Sequence, residues 1–186
     1  METIVILSAN PVIPIAICVA LGLLVGSFLN VVAYRVPIML QREWQQQCCE
    51  YLEIENTTPD SNESSAKFAV FNLMKPDSHC PQCNHKIKSW ENIPVLSYLF
   101  LRGKCSSCKN KISFRYPSVE FLTGVLSGLV AASFGTTSLT LVLLAFTWAL
   151  IALTLIDFDQ QLLPDNITLP LLWSGLLVST MDLGFG

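Results

Sequence analysis

The sequence predicts an all-α polytopic membrane protein, a helix bundle with a small cytosolic zinc-knuckle domain between its first and second spans. Three observations carry that prediction. Hydrophobic residues make up 52% and charged residues 13% of the chain, with a mean hydropathy of +0.51, where charged residues run near roughly a quarter in an ordinary soluble domain. All eleven Lys and Arg lie between Arg35 and Arg115, with none in the 34 residues before or the 71 after. Two Cys-x-x-Cys pairs stand inside that basic block.

Basic residues near membrane segments stay on the cytosolic side, so a basic block between apolar stretches reads as a cytosolic domain held between spans. The block carries eleven basic and eight acidic residues, a local +3, with no stripe of unopposed charge. That balance disfavours a nucleic-acid partner. Attraction to an anionic inner leaflet fits the topology, and the lipid bilayer is the partner that composition does imply. The expected organisation is an N-terminal transmembrane helix over 1–34, a cytosolic zinc-binding domain over 35–115 with a flexible 41–65 segment, and three further transmembrane helices over 116–186 with a cytosolic loop at 157–166.

The first span runs from about Val12 to Ala33, long enough at ~1.5 Å per residue to cross a ~30 Å hydrocarbon core. Its start, METIVIL, has no positive charge, and the positive charge follows the span. The span is therefore retained rather than cleaved, with the N-terminus periplasmic. Gly22 and Gly26, with Ser27 beside them, form a small-xxx-small face suited to close helix packing. Cys18 in the same span is a small buried hydrophobe.

After Arg35-Val36-Pro37 the chain turns polar, and Gln41 to Ser65 reads as part helix, part linker. Cys48 and Cys49 lie there, and adjacent cysteines serve one metal or bridge each other only with strain, so they are incidental. Cys80-Pro-Gln-Cys83 and Cys105-Ser-Ser-Cys108 are different. Two such turns, each pointing two thiolates at a shared tetrahedral centre, are the ligand set of a structural zinc site. A reducing cytosol argues against disulfides, and a thioredoxin-like site needs only one pair. Four thiolates leave no open coordination position, so the metal is structural. It fixes a polar loop too small to bury a large core. His79 and His85 adjoin the first pair; either can replace a thiolate, though solvated neighbours is the simpler reading.

A second span is expected near Ser118 to Phe134, a turn at Gly135-Thr136-Thr137-Ser138, a third span near Leu139 to Ile156 and a fourth near Ile167 to Thr180. Parity then brings Asp157 out on the membrane face that holds the cysteines. Asp159, Asp165 and Asp182 read as solvated helix ends. Asp157 directly follows Leu-Thr-Leu-Ile, and partial desolvation there would suit it to proton transfer. Asp157 and Asp159 are about 200° apart around a helix, so they cannot both face one bundle interior and do not form a dyad with each other. Glu120, one turn inside the second span, is taken first as interfacial and solvated, the alternative being an inward-packed structural or substrate-binding group.

Gly26-Ser-Phe-Leu-Asn-Val-Val-Ala-Tyr-Arg-Val-Pro37, the paired cysteine knuckles around Trp90-Glu-Asn-Ile-Pro94, Arg115-Tyr-Pro-Ser-Val-Glu120 and Ile156-Asp-Phe-Asp-Gln-Gln-Leu-Leu-Pro-Asp165 together resemble bacterial type IV prepilin peptidases. The resemblance spans nearly the whole chain. It implies inner-membrane aspartic peptidases that cut the short basic leader from prepilins and pseudopilins after a glycine, then N-methylate the new terminal residue with S-adenosylmethionine. It places the family's first catalytic aspartate on Asp157 and its zinc cysteines on Cys80, Cys83, Cys105 and Cys108. The second aspartate of the family, in a Gly-x-Gly-Asp motif on a later helix, falls on no residue; Gly184-Phe185-Gly186 imitates the motif without its aspartate, so an N-terminal portion is expected. No glycine-rich signature marks a methyl-donor site, and that activity rests on the resemblance alone. The competing reading is a non-enzymatic membrane adaptor with a cytosolic zinc module, which leaves Asp157 at its depth unexplained.

Overall fold

The computed structural model describes residues 12–52, 71–75, 77–80, 82–87, 91, 93–135 and 137–180. The 53–65 part of the expected polar linker, Trp90, Asn92, Asp182 and the terminal Gly-Phe-Gly lie outside the described residues. Five helices are described: α1 (Val12–Tyr51), α2 (Leu96–Phe100), α3 (Arg115–Phe134), α4 (Ser138–Gln160) and α5 (Asp165–Thr180). Extended pairing among the described residues is confined to two isolated bridges, His79 with Lys86 and Lys104 with Lys111.

α1, α3 and α4 are each long and apolar enough to cross a membrane. α1 departs from expectation, because it continues unbroken past Ala33 and Pro37 to Tyr51, 40 residues in all, or about 60 Å. Pro37 removes one backbone donor, but Met39, Leu40, Gln41, Arg42, Glu43 and the run Gln45 to Gln47 are strong helix formers that carry the helix on. The extension beyond Leu40 is mostly exposed. α5, with 16 described residues, reaches about 24 Å and falls short of the length of the other three.

Small residues set the α1–α3 crossing. A Cβ on Gly26 would stand 2.8 Å from the Glu120 Cα and 3.1 Å from the Thr123 side chain, and one on Gly22 would meet the Thr123 carbonyl at 2.8 Å. From the other side, Gly124 receives Leu23 and Gly128 receives Val19. Both helices therefore contribute a small-xxx-small face, as the α1 glycines led one to expect. Thr123 and Ser127 are fully buried in the seam, their hydroxyls satisfied by the Val119 and Thr123 carbonyls at 2.8 Å each. Trp148 Nε1 of α4 donates to Ser127 Oγ at 2.9 Å and ties the third helix in. Gly26→Ala should cost about 1–3 kcal/mol, since its neighbour there is backbone that cannot step aside. Thermal unfolding in detergent checks this, and an unchanged midpoint would contradict the packing.

The main apolar core joins Leu29, Val32, Ala33 and Val36 of α1 to Ala152 and Ile156 of α4. Ile156 has no exposed surface, which locks the rotation of α4 just before Asp157. α4 is delimited at both ends: Thr137 Oγ1 accepts from Thr140 N–H at 3.3 Å at its start, and Gln161 adopts a left-handed conformation at its end. α5 follows after the buried Pro164, whose carbonyl accepts from Ile167 and Thr168 N–H at 3.0 Å each.

Candidate metal centre and catalytic carboxylate

The two Cys-x-x-Cys turns fold into one repeated unit, offset by 25 residues in sequence. In the first, Cys80 N–H donates to the His85 carbonyl at 2.9 Å, Asn84 N–H to the Cys80 carbonyl at 2.9 Å, and Ile87 N–H to the Ser78 carbonyl at 2.9 Å. In the second, the same bonds join Cys105 to Asn110 at 2.8 Å, Lys109 to Cys105 at 3.1 Å, and Ile112 to Gly103 at 2.8 Å. Asn84 and Lys109, one residue past each second cysteine, both hold positive φ, at 53° and 59°. This signal lay in the sequence as Cys-x-x-Cys-x-x-Lys-Ile at 80–87 and again at 105–112, beyond the bare cysteine spacing.

Facing each other, the turns gather the Sγ atoms of Cys80, Cys83, Cys105 and Cys108 within 4.8 Å of one another. Cys80 and Cys108 sulfurs stand 3.8 Å apart, which matches the edge of about 3.8 Å expected of a tetrahedron with sulfur about 2.3 Å from zinc. Backbone N–H groups of Gln82 and Cys83 hold the Cys80 thiol down to about 7. At Cys108 the Asn110 N–H acts the same way, but burial and the sulfurs of Cys83, Cys105 and Cys80 outweigh it and push that thiol up to about 11. Four sulfurs this close cannot all ionise without a cation between them, and the donor set fits a divalent, thiophilic ion. His79 and His85 stand outside the set: His79 Nδ1 lies 3.0 Å from the Asp77 carbonyl, and His85 Nε2 lies 3.6 Å from Glu91.

The described residues between 71 and 112, the cap, are tied to the helices at two points, and α3 is tied to α4 at a third, all of which local sequence reasoning left open. Glu120, 9% exposed, is packed inward rather than solvated, and its Oε2 accepts from Val95 N–H at 2.8 Å. Val95 holds a φ of 58°, a conformation costly for a β-branched residue, so this bond fixes the start of α2 against α3. Arg35, 8% exposed and the first basic residue of the chain, staples residues 71–75 to α1, its Nη1 donating to the Asn72 carbonyl at 2.9 Å. Asp159 is no free helix end, because Arg115 grips it with two parallel bonds, Nη1–Oδ1 at 2.8 Å and Nη2–Oδ2 at 2.5 Å.

That last pair positions Asp157. Arg115 follows the second knuckle by seven residues and opens α3, so its grip on Asp159 brings the end of α4 to the end of the bundle where the cap joins. Asp157, two residues earlier, is exposed, and among the described residues its carboxylate has no hydrogen-bond or ion-pair partner. The partial desolvation expected for it is thus not supplied by the described part of this chain. Asp165 is exposed in the first turn of α5. Cys18 is half-buried in α1, and Cys48 and Cys49 lie on the α1 extension, apart from the sulfur cluster.

The family described as the bacterial peptidase A24 N-terminal domain matches residues 20–134, and the type IV leader peptidase family matches residues 144–186. A prepilin leader peptidase/N-methyltransferase from Stutzerimonas stutzeri is 49% identical over 98% of this chain and 61% of its own length. Proteins of the same name from Neisseria gonorrhoeae and Pseudomonas aeruginosa are 53% and 49% identical over 92% and 95% of this chain, and 57% and 58% of their own lengths. The chain thus spans about six-tenths of the length of these curated relatives. No solved structure matches it significantly.

Proposed function

The chain belongs to the bacterial A24 peptidases, the type IV leader peptidase family, and from that premise we propose that it is part of an inner-membrane aspartic endopeptidase. The complete protein removes the basic leader from type IV prepilins and pseudopilins and N-methylates the new terminal residue, in support of pilus assembly and type II secretion. Asp157 is one of its two catalytic carboxylates. The observation that carries this reading is the Arg115–Asp159 grip, which supports a place for Asp157 at the cap end of the bundle with its carboxylate free of internal partners.

Two-aspartate hydrolysis explains why a free carboxylate is useful there. One carboxylate, ionised, takes a proton from the attacking water, while a second, protonated, donates to the scissile carbonyl; proximity splits their pKa values. Asp157 supplies one of those roles. Asp159 supplies neither, because its oxygens are engaged by Arg115. Cys80, Cys83, Cys105 and Cys108 hold a zinc ion that fixes the cap and, with four thiolates, keeps no open position for chemistry. S-adenosylmethionine donates the methyl group, and no residue of this chain is assigned to it.

The topology that goes with this function has four spans, with α5 as the fourth, the cap cytosolic and the N-terminus periplasmic. It is supported by the confinement of every Lys and Arg to residues 35–115. In a bacterium deleted for its own leader peptidase, the protein carrying this chain should convert a prepilin to its leaderless, N-methylated form, read as the intact mass of the pilin. Persistence of the leader would overturn the proposal.

A further inference from the structure

The repeated knuckles have one shape but differ in charge: Asp77, Lys86, Lys88 and Glu91 balance around the first, whereas the second is basic. Around the first, Asp77 pairs with Lys86 at 2.6 Å and Glu91 lies by His85. Around the second there is no carboxylate in sequence between Glu91 and Glu120, while Arg102, Lys104, Lys109 and Lys111 are all exposed. None of these four cations is paired with a carboxylate among the described residues. A shared fold with a net positive charge on only one copy is not a requirement of the shared turn geometry, so the excess charge calls for its own explanation.

Beside the second knuckle lies α2, whose Leu96, Leu99 and Phe100 are exposed, Phe100 to 84%. Phe114, immediately before α3, is 71% exposed and stacks edge-on against Tyr98 of α2 at 6.2 Å between ring centroids. The Tyr98 ring in turn covers Gly103, where a Cβ would lie 2.8 Å from it, so α2 and the second knuckle move as one body. The depth of this body follows from one hydrogen bond. α3 has 20 residues, just enough at ~1.5 Å each for a ~30 Å core, so Arg115 stands at the membrane boundary. Glu120 is five residues further in, about 7.5 Å along the helix axis. The N–H of Val95, at the start of α2, is bonded to Glu120. α2 therefore starts within one glutamate side chain of that level, on the boundary side because helical side chains lean toward the N-terminus, which places it in the interfacial zone.

We propose that α2 and the second knuckle form an interfacial anchor, with Leu96, Leu99 and Phe100 seated at the headgroup–acyl boundary and Arg102, Lys104, Lys109 and Lys111 on anionic phospholipid headgroups. α3 also exposes apolar side chains, Phe121 and Leu122, and the cations follow α2 in sequence within eleven residues of Phe100. The anchor holds the metal cap at a fixed height over the bundle. It does not depend on the peptidase reading, since it rests on the depth of α2 and on charge alone.

The test is photo-crosslinking of the chain in phosphatidylcholine nanodiscs doped with photoactivatable phosphatidylglycerol or photoactivatable phosphatidylcholine, with adducts mapped by mass spectrometry. Adducts are expected on residues 96–104 with both probes, and more with phosphatidylglycerol. Arg102→Gln with Lys111→Gln should lower that lipid preference about 25-fold, roughly fivefold per cation at about 1 kcal/mol each. Adducts on residues 139–156 and the metal content should stay unchanged. Labelling of the spans with residues 96–104 untouched would overturn the proposal and leave the apolar residues of α2 to a protein partner. Equal labelling of 96–104 in the unsubstituted chain by the two lipids would overturn the headgroup recognition.

Discussion

Asp157→Asn in the complete protein should abolish leader cleavage, lowering the processing rate by at least about 10³-fold, in the upper range for loss of a general acid or base. Asn is nearly isosteric with Asp but can neither accept the proton of the attacking water nor hold one for the scissile carbonyl. The substitution should be nearly silent for folding, because the Asp157 carboxylate is exposed and engages no other described side chain; surface changes of that kind fall within about 0.5 kcal/mol. Asp159→Asn is the informative contrast. It removes the charge gripped by Arg115 at the end of α4 and so loosens the position of Asp157 without removing a reacting group. Its effect on processing should be partial, where that of Asp157→Asn is complete. Conversion of a prepilin followed by gel mobility, alongside thermal unfolding, separates the two, and normal processing by Asp157→Asn would refute its catalytic role.

Much of this arrangement was legible before any coordinates, for reasons that differ by element. Hydropathy sufficed for α1, α3 and α4, since a run of apolar residues long enough for a bilayer has few other uses. Cysteine spacing sufficed to foresee the four-sulfur cluster, because the chemistry of a tetrahedral thiolate site demands two close pairs and little else. The end of the first apolar span, near Ala33, is not the end of the first helix: the helix-forming residues after Pro37 carry it to Tyr51, into the stretch read as part helix, part linker. Of the two readings open for Glu120 the inward-packed one holds, and Asp159, though exposed, is paired. Their partners, Val95 and Arg115, are 25 and 44 residues away in sequence, and no local period encodes a contact of that range. What decided both was tertiary: whether a carboxylate at a helix end is paired depends on a donor that the fold brings to it from a distant part of the chain. The charge difference between the knuckles was visible all along, but only as a difference, once the 25-residue offset had put them in register.

Cys105→Ser should cost the protein its metal, the fold of its cap and most of its processing activity together. The site has no spare ligand: among the described residues the sulfur cluster contains four cysteines and no histidine, and a serine hydroxyl does not ionise near neutral pH to replace a thiolate. Metal content should fall from one ion per chain toward zero. Residues 78–112 should then become the preferred site of limited proteolysis, since the described residues there form short turns and isolated bridges that a bound metal would hold together. Activity follows because the cap is not a free appendage. Val95 is bonded to Glu120, and the cap runs directly into Arg115, which grips Asp159, so a disordered cap frees the start of α3 and loosens the grip on the end of α4 that carries Asp157. Cys48→Ser, on the exposed α1 extension, should retain metal and activity and so controls for loss of a thiol as such. Asp157→Asn should retain the metal while losing activity, so the pair of variants distinguishes a failed scaffold from a failed reaction. Full metal retention by Cys105→Ser would mean that the four sulfurs are not the ligands, and with that the cap would lose its reason to fold.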